Sequence, residues 1–156
     1  MPHSVLLIPV PELEPVVPLA HVTVLGPFAP AGKISEGLVS ELRAFFGDVT
    51  PFAFSLARLA RFPAGTVYLS PEPPDPFRNL THELCRRFPE YPPYGGAFDD
   101  VVPHLSVAHD EELDAVRLKL GPRLPVRVLA REAALVWFEG DEARTLETFP
   151  FGTSAA

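Results

Sequence analysis

Lysine is almost missing from this 156-residue sequence: Lys33 and Lys119 are the only two, and arginine supplies the rest of the positive charge. With a net charge of −7, the chain lacks the broad basic face that a protein needs to grip long nucleic acid. A small phosphate-bearing substrate in a local pocket stays compatible with that balance. Cysteine is rarer still. Cys85 stands alone, which excludes a disulfide framework and any Cys-rich zinc site. No apolar run reaches the ~18–20 residues of a membrane span, because Pro9, Pro11, Pro15 and Pro18 interrupt the N-terminal stretch. The opening Met1-Pro2-His3-Ser4 has no basic region ahead of an apolar one, so no signal peptide is expected and a cytoplasmic location is the default. GxGxxG, GxxxxGK[ST], HExxH and GxSxG are all missing, and with them any sequence support for dinucleotide binding, P-loop chemistry, zincin proteolysis or α/β-hydrolase chemistry.

What the chain does have is core-forming material: 47% hydrophobic residues, 12 phenylalanines, and 20 prolines dispersed among apolar residues rather than massed in a disordered tract. Alternation and β-branching predict strands at Ser4–Ile8, Ala20–Leu25, Phe52–Phe62, Thr66–Leu69, His104–Ala108, Val126–Phe138 and Arg144–Phe149. Helical spacing predicts helices over Lys33–Phe46 stopped by Gly47, and over Phe77–Phe88 with Asp75 as N-cap and Pro76 in the first turn. A third carries Leu113, Val116 and Leu120, capped by Asp110 and ended by Gly121-Pro122. The order is α+β, not a doubly wound parallel sheet.

Two histidines are each followed two positions later by a hydroxyl residue: His21-Val22-Thr23 and His104-Leu105-Ser106. In a strand, residues i and i+2 share a face roughly 6.5–7 Å apart, so each pair presents one imidazole and one hydroxyl together. The flanks echo, with Val16-Val17-Pro18 before the first pair and Val101-Val102-Pro103 before the second. An internal duplication is the natural reading, with lobes over roughly residues 1–72 and 73–156 of a single domain. In-line cleavage of a phosphodiester needs a base for the attacking oxygen and an acid for the leaving one. Two imidazoles, unperturbed near pKa 6.5, can supply both forms together, and hydroxyls can hold the non-bridging oxygens. Such a mechanism calls for no metal and no cofactor. The blander alternative makes each pair the polar face of a half-exposed strand.

His21-Val22-Thr23-Val24-Leu25-Gly26-Pro27-Phe28 and Pro103-His104-Leu105-Ser106-Val107-Ala108 resemble the paired H-x-T/S motifs of the 2H phosphoesterase superfamily, and its bacterial 2′-5′ RNA ligase-like branch in particular. The resemblance implies a pseudo-two-fold bilobal α+β fold, with two antiparallel-rich sheets lining a central cleft and helices outside. It implies a metal-independent phosphodiesterase acting on 2′,3′-cyclic or 2′-5′ phosphodiesters of small nucleotides or RNA ends, with RNA ligation in some members. His21 and His104 would be the catalytic pair, and Thr23 and Ser106 the phosphate-oxygen donors. A monomer without membrane partners is expected. Many ligase-like members carry arginine five positions after the second histidine, where this chain has His109. Strict alternation would put His109 opposite His104, unless the backbone turns toward the Asp110 cap. A non-catalytic nucleotide- or RNA-binding module and a His-based metal hydrolase are the competing classes.

Other residues have two readings. Tyr91, Tyr94 and Phe98, in the loop before the second motif, could stack on a substrate base or anchor that Pro-rich loop, and Phe28, just after the first motif, has the same two readings. His109 could bind substrate phosphate or cap local backbone. His3 and His82 read as surface residues, Cys85 as a buried structural thiol, and Trp137 as core. Glu111-Glu112 reads as first-turn charge complementing a helix dipole.

Overall fold

The computed structural model of the chain describes residues 2–92 and 102–152. Apolar alternation builds eight strands: β1 (His3–Pro9), β2 (His21–Leu25), β3 (Phe52–Arg61), β4 (Thr66–Glu72), β5 (Leu105–His109), β6 (Val126–Ala130), β7 (Glu132–Glu139) and β8 (Glu142–Pro150). Three α-helices, α1 (Glu36–Gly47), α2 (Asp75–Arg87) and α3 (Leu113–Leu120), lie between them. The strands form two four-stranded antiparallel sheets, ordered β2-β1-β7-β8 and β5-β4-β3-β6. The two orders are the same pattern twice. An antiparallel pair with the motif strand outermost occupies one edge of each, and β2 lies alongside β5 where the sheets meet.

Each half of the sequence sends two strands to each sheet, so both sheets draw on both halves. The reason lies at Arg131. The run Val126–Phe138 breaks there into two strands, and β7 pairs with β1 while β6 stays with β3.

Helix starts differ from expectation in three places. α1 begins after Ser35, whose hydroxyl accepts the Leu38 N–H at 3.2 Å, a cap ahead of the apolar stripe. Asp75 lies inside α2 rather than capping it, and its carboxylate sits 3.9 Å from Arg78. Asp110 does not cap α3. It adopts φ of 57° and turns back to Arg61 and His109. Beside it Gly65, at φ of 108°, makes the β3–β4 turn, and a side chain there would run into Asp110.

One aromatic cluster ties the sheets together. Phe46 of α1 stacks on Phe149 of β8 at 5.6 Å, while Phe77 of α2 meets Phe54 of β3 edge-on at 4.9 Å. Phe151 bridges Phe46 and Phe52. These rings fill core space behind both sheets. Gly152 closes the cluster: its N–H donates to the Val49 carbonyl at 2.9 Å, and its Cα passes too near the Gly47 carbonyl for a side chain.

Trp137 is half-buried, with its indole N–H on Glu139 at 3.1 Å, not in the core as expected. Cys85 is half-buried beside the core, and burial pushes its thiol above the ordinary range. His82 is exposed and His3 half-buried. Among the described residues, no helix is long and apolar enough to cross a membrane.

Candidate active site

Each motif strand departs from regular pairing at the same place. In β2, Leu7 pairs with Thr23 and Leu6 with Leu25, so Val24 is an extra residue. In β5, Tyr68 pairs with Ser106 and Val67 with Ala108, so Val107 is the extra one. Both bulges fall three residues after the motif histidine. A bulge shifts the alternation by one. His104 and Ser106 share the open face with Tyr68, and beyond the bulge His109, paired with Thr66, returns to that face. This overturns the expectation from strict alternation: β5 runs on through His109 without turning away. His109 Nδ1 lies 3.3 Å from the Thr66 hydroxyl and its Nε2 3.3 Å from Asp110.

The two imidazoles are held alike. His21 Nδ1 lies 2.6 Å from the Leu19 carbonyl, and His104 Nδ1 lies 2.7 Å from the Val102 carbonyl, each two residues upstream. A carbonyl can only accept, so Nδ1 carries the proton in both rings and Nε2 is the basic nitrogen of each neutral form. Leu19 reaches this geometry at φ of 59°, a backbone conformation uncommon for a leucine. Burial pushes the His21 pKa below the ordinary 6.5; the Leu19 carbonyl works against that shift, and the neighbouring His104 adds to it. His21 is therefore mostly neutral at neutral pH, with a second imidazole close enough to feel its charge.

Aromatic rings flank both histidines. His104 meets Phe62 edge-on at 5.0 Å and Tyr68 at 5.7 Å, and those two rings stack on each other at 4.0 Å. His21 lies 6.0 Å from Phe138, which stacks on His3 at 5.8 Å. Sequence reasoning missed Phe62, Tyr68 and Phe138. Alternation in β4 carries a signal for Tyr68, but the partner strand that brings it beside Ser106 cannot be read locally.

Two buried hydroxyls hold the first motif from behind, and both were missed. Thr81 of α2 donates to the Val24 carbonyl at 2.6 Å, and Ser4 donates to the Ala29 carbonyl at 2.6 Å. Phe28 is buried against Phe88 and Tyr91, at 5.4 and 5.1 Å between ring centres, so it belongs to the core and not to a substrate surface. The Tyr94 and Phe98 readings lie outside the described residues. A cavity of about 150 Å³ adjoins His21, whereas a larger one of about 480 Å³ lies between α1 and α2 and touches neither motif histidine. Among the described residues, no cluster of three or more His, Cys, Asp or Glu side chains could hold a metal ion.

A family profile described as the 2′-5′ RNA ligase superfamily matches residues 11–142. No curated protein matches the chain by sequence. Among solved structures, it is similar to the TT0787 protein of Thermus thermophilus, with 15% identity and a TM-score of 0.65 over 99% of this chain and 100% of that one. It is also similar to E. coli LigT crystallised with 3′-AMP, at 18% identity and a TM-score of 0.63 over 97% and 99% of the two chains. LigT crystallised with NADP+ gives 16% identity and a TM-score of 0.62 over 96% and 97%. Identities this low establish a shared fold.

Proposed function

The chain belongs to the 2′-5′ RNA ligase superfamily, and from that premise we propose that it is a phosphodiesterase that opens 2′,3′-cyclic or 2′-5′ phosphodiesters of small nucleotides or RNA ends. The observation that carries this reading is the matched pair of histidines. Both Nδ1–H groups are tied to a carbonyl two residues back, and each ring is followed by a hydroxyl residue on the same strand face. E. coli LigT, crystallised with 3′-AMP, ATP and NADP+, lends the fold's capacity for nucleotides.

His21, held neutral by burial, takes a proton from the attacking water through Nε2. The new P–O bond forms in line with the bond that breaks, and His104 gives its proton to the departing ribose oxygen. Thr23 and Ser106 donate hydrogen bonds to the non-bridging oxygens as charge builds there. Both histidines end in the opposite protonation state and exchange back through solvent. The whole chain acts as one domain, in which each sheet contributes one imidazole and one hydroxyl.

A substrate panel in EDTA tests the reading: 2′,3′-cyclic mononucleotides, 2′-5′ dinucleotides and ADP-ribose 1″,2″-cyclic phosphate. Turnover of at least one supports it. Binding without turnover of any would instead indicate a nucleotide-binding module, and turnover abolished by EDTA a metal hydrolase. RNA-end joining, assayed on the same panel's products, reports on the ligase alternative.

A further inference from the structure

The surroundings of the two motif histidines differ in charge. Against His21, the small cavity is lined by Glu14 and Glu132 beside Leu7, Ala134, Thr145 and Thr148, with no lysine or arginine among the described residues. His104 lies by the open face of β5-β4-β3-β6, whose composition follows from register. Tyr68 lies between Ser106 and Ala60, and Ser70, two residues on, faces Arg58. Leu105 pairs with Leu69, so His104 extends the row of Ser70 and Arg58. At about 4.8 Å per strand, the Arg58 backbone sits two strands, roughly 10 Å, from that of His104 on the same face.

Arg127 of β6 pairs with Ser55, the next open-face position along β3 past the bulge at Ala57. Burial confirms the facing: Val126 and Val128 go inward, while Arg127 and Arg58 are exposed. Among the described residues, neither arginine has an ion-pair partner. Among the described residues of these strands, Glu72 is the carboxylate that register puts on this face, in the row of Ser55 and Arg127. In a chain of net charge −7, two arginines stepping away from the His104 side along one sheet are a directional feature.

We propose that Arg58 and Arg127 form a second anion site, which binds a phosphate of the substrate other than the one being cleaved. The substrate's phosphate-bearing extension then leaves the reaction centre past His104 and along this sheet, away from Glu14 and Glu132. The group recognised is a phosphate, carried either by the next residue of an oligonucleotide or by a nucleotide's 5′-diphosphate. This rests on the phosphodiesterase reading, and the test separates the two.

Three substrates are compared: a 2′,3′-cyclic mononucleotide, a trinucleotide ending in a 2′,3′-cyclic phosphate, and a 2′,3′-cyclic nucleotide bearing a 5′-diphosphate. Arg58→Ala and Arg127→Ala should each raise KM about three- to tenfold for one or both extended substrates, the range for exposed to partly desolvated charge pairs. The kcat values and the mononucleotide constants should hold, and Glu72→Gln should lower the same KM. Whichever extended substrate responds identifies the source of the phosphate. In parallel, a 3′-phosphorylated trinucleotide and a 3′-nucleotide are titrated onto wild type and both arginine variants. Weakened trinucleotide binding in the variants upholds the site even if wild type turns nothing over, in which case the phosphodiesterase reading is what fails. Equal shifts for all three substrates overturn the site. So do unchanged KM values together with unchanged trinucleotide affinity.

Discussion

Thr81→Val removes one hydroxyl from the back of the first motif strand and leaves the side-chain shape nearly intact. Thr81 is 1% exposed, and its proton reaches the Val24 carbonyl at 2.6 Å, closer than the helix carbonyl of Phe77 at 3.1 Å. Val24 is the bulge residue, which has no cross-strand partner, whereas the Phe77 carbonyl lies within α2 and keeps its helical bond. Valine therefore strands one buried acceptor, at a cost of about 1–3 kcal/mol. At roughly 2–4 °C per kcal/mol for a chain of this size, Tm should fall by about 2–12 °C. Differential scanning calorimetry with parallel urea titration reads this directly, and the urea m-value should not change. A Tm within about 1 °C of wild type would mean that the hydroxyl is not what satisfies Val24, and the account of how α2 holds the motif strand would be wrong.

The pH dependence of stability should carry the signature of His21. Its pKa is lowered by burial, so above about pH 6.5 the imidazole is neutral in both folded and unfolded chains and the contribution is complete. As pH drops below 6.5 the unfolded chain takes up a proton that the folded chain resists, and stability declines until the lowered folded value is passed. His21→Gln should flatten part of the Tm-against-pH curve below pH 6.5; an unchanged slope would contradict the burial argument. His109→Arg would put a permanent charge on the open face of the sheet, between Thr66 and Asp110. KM for a cyclic phosphate at pH 8 should then fall with kcat largely kept, since the charge binds ground and transition states alike. Equal KM values for both proteins at pH 6 and pH 8 would place His109 outside phosphate binding.

The strand carrying His21 and Thr23 was legible because its alternation is local: Val22 and Val24 alternate with the pair and Gly26-Pro27 ends the run. Pseudo-symmetry was legible for the same reason, through two motifs with echoing flanks. Neither bulge was, since an extra residue is defined only against its partner, and Leu6-Leu7 and Val67-Tyr68 are distant in sequence. The side on which His109 falls depends on that bulge, so counting alternate residues gave the wrong face. The crossing between sheets was hidden for a related reason: nothing in Val126–Phe138 announces that the chain changes sheets at Arg131. Phe28, next to the motif, resembled a stacking platform, but Phe88 and Tyr91 claim it for the core, and only tertiary packing reveals that.

The central claim is that His21 and His104 work as base and acid on one phosphate. The most direct measurement is kcat for hydrolysis of the best 2′,3′-cyclic substrate, in EDTA, by wild type, His21→Ala and His104→Ala, each shown folded by circular dichroism. The account predicts a loss of about 10²–10⁴-fold in each variant, the usual worth of a positioned acid or base. A near-wild-type rate in either one would contradict it.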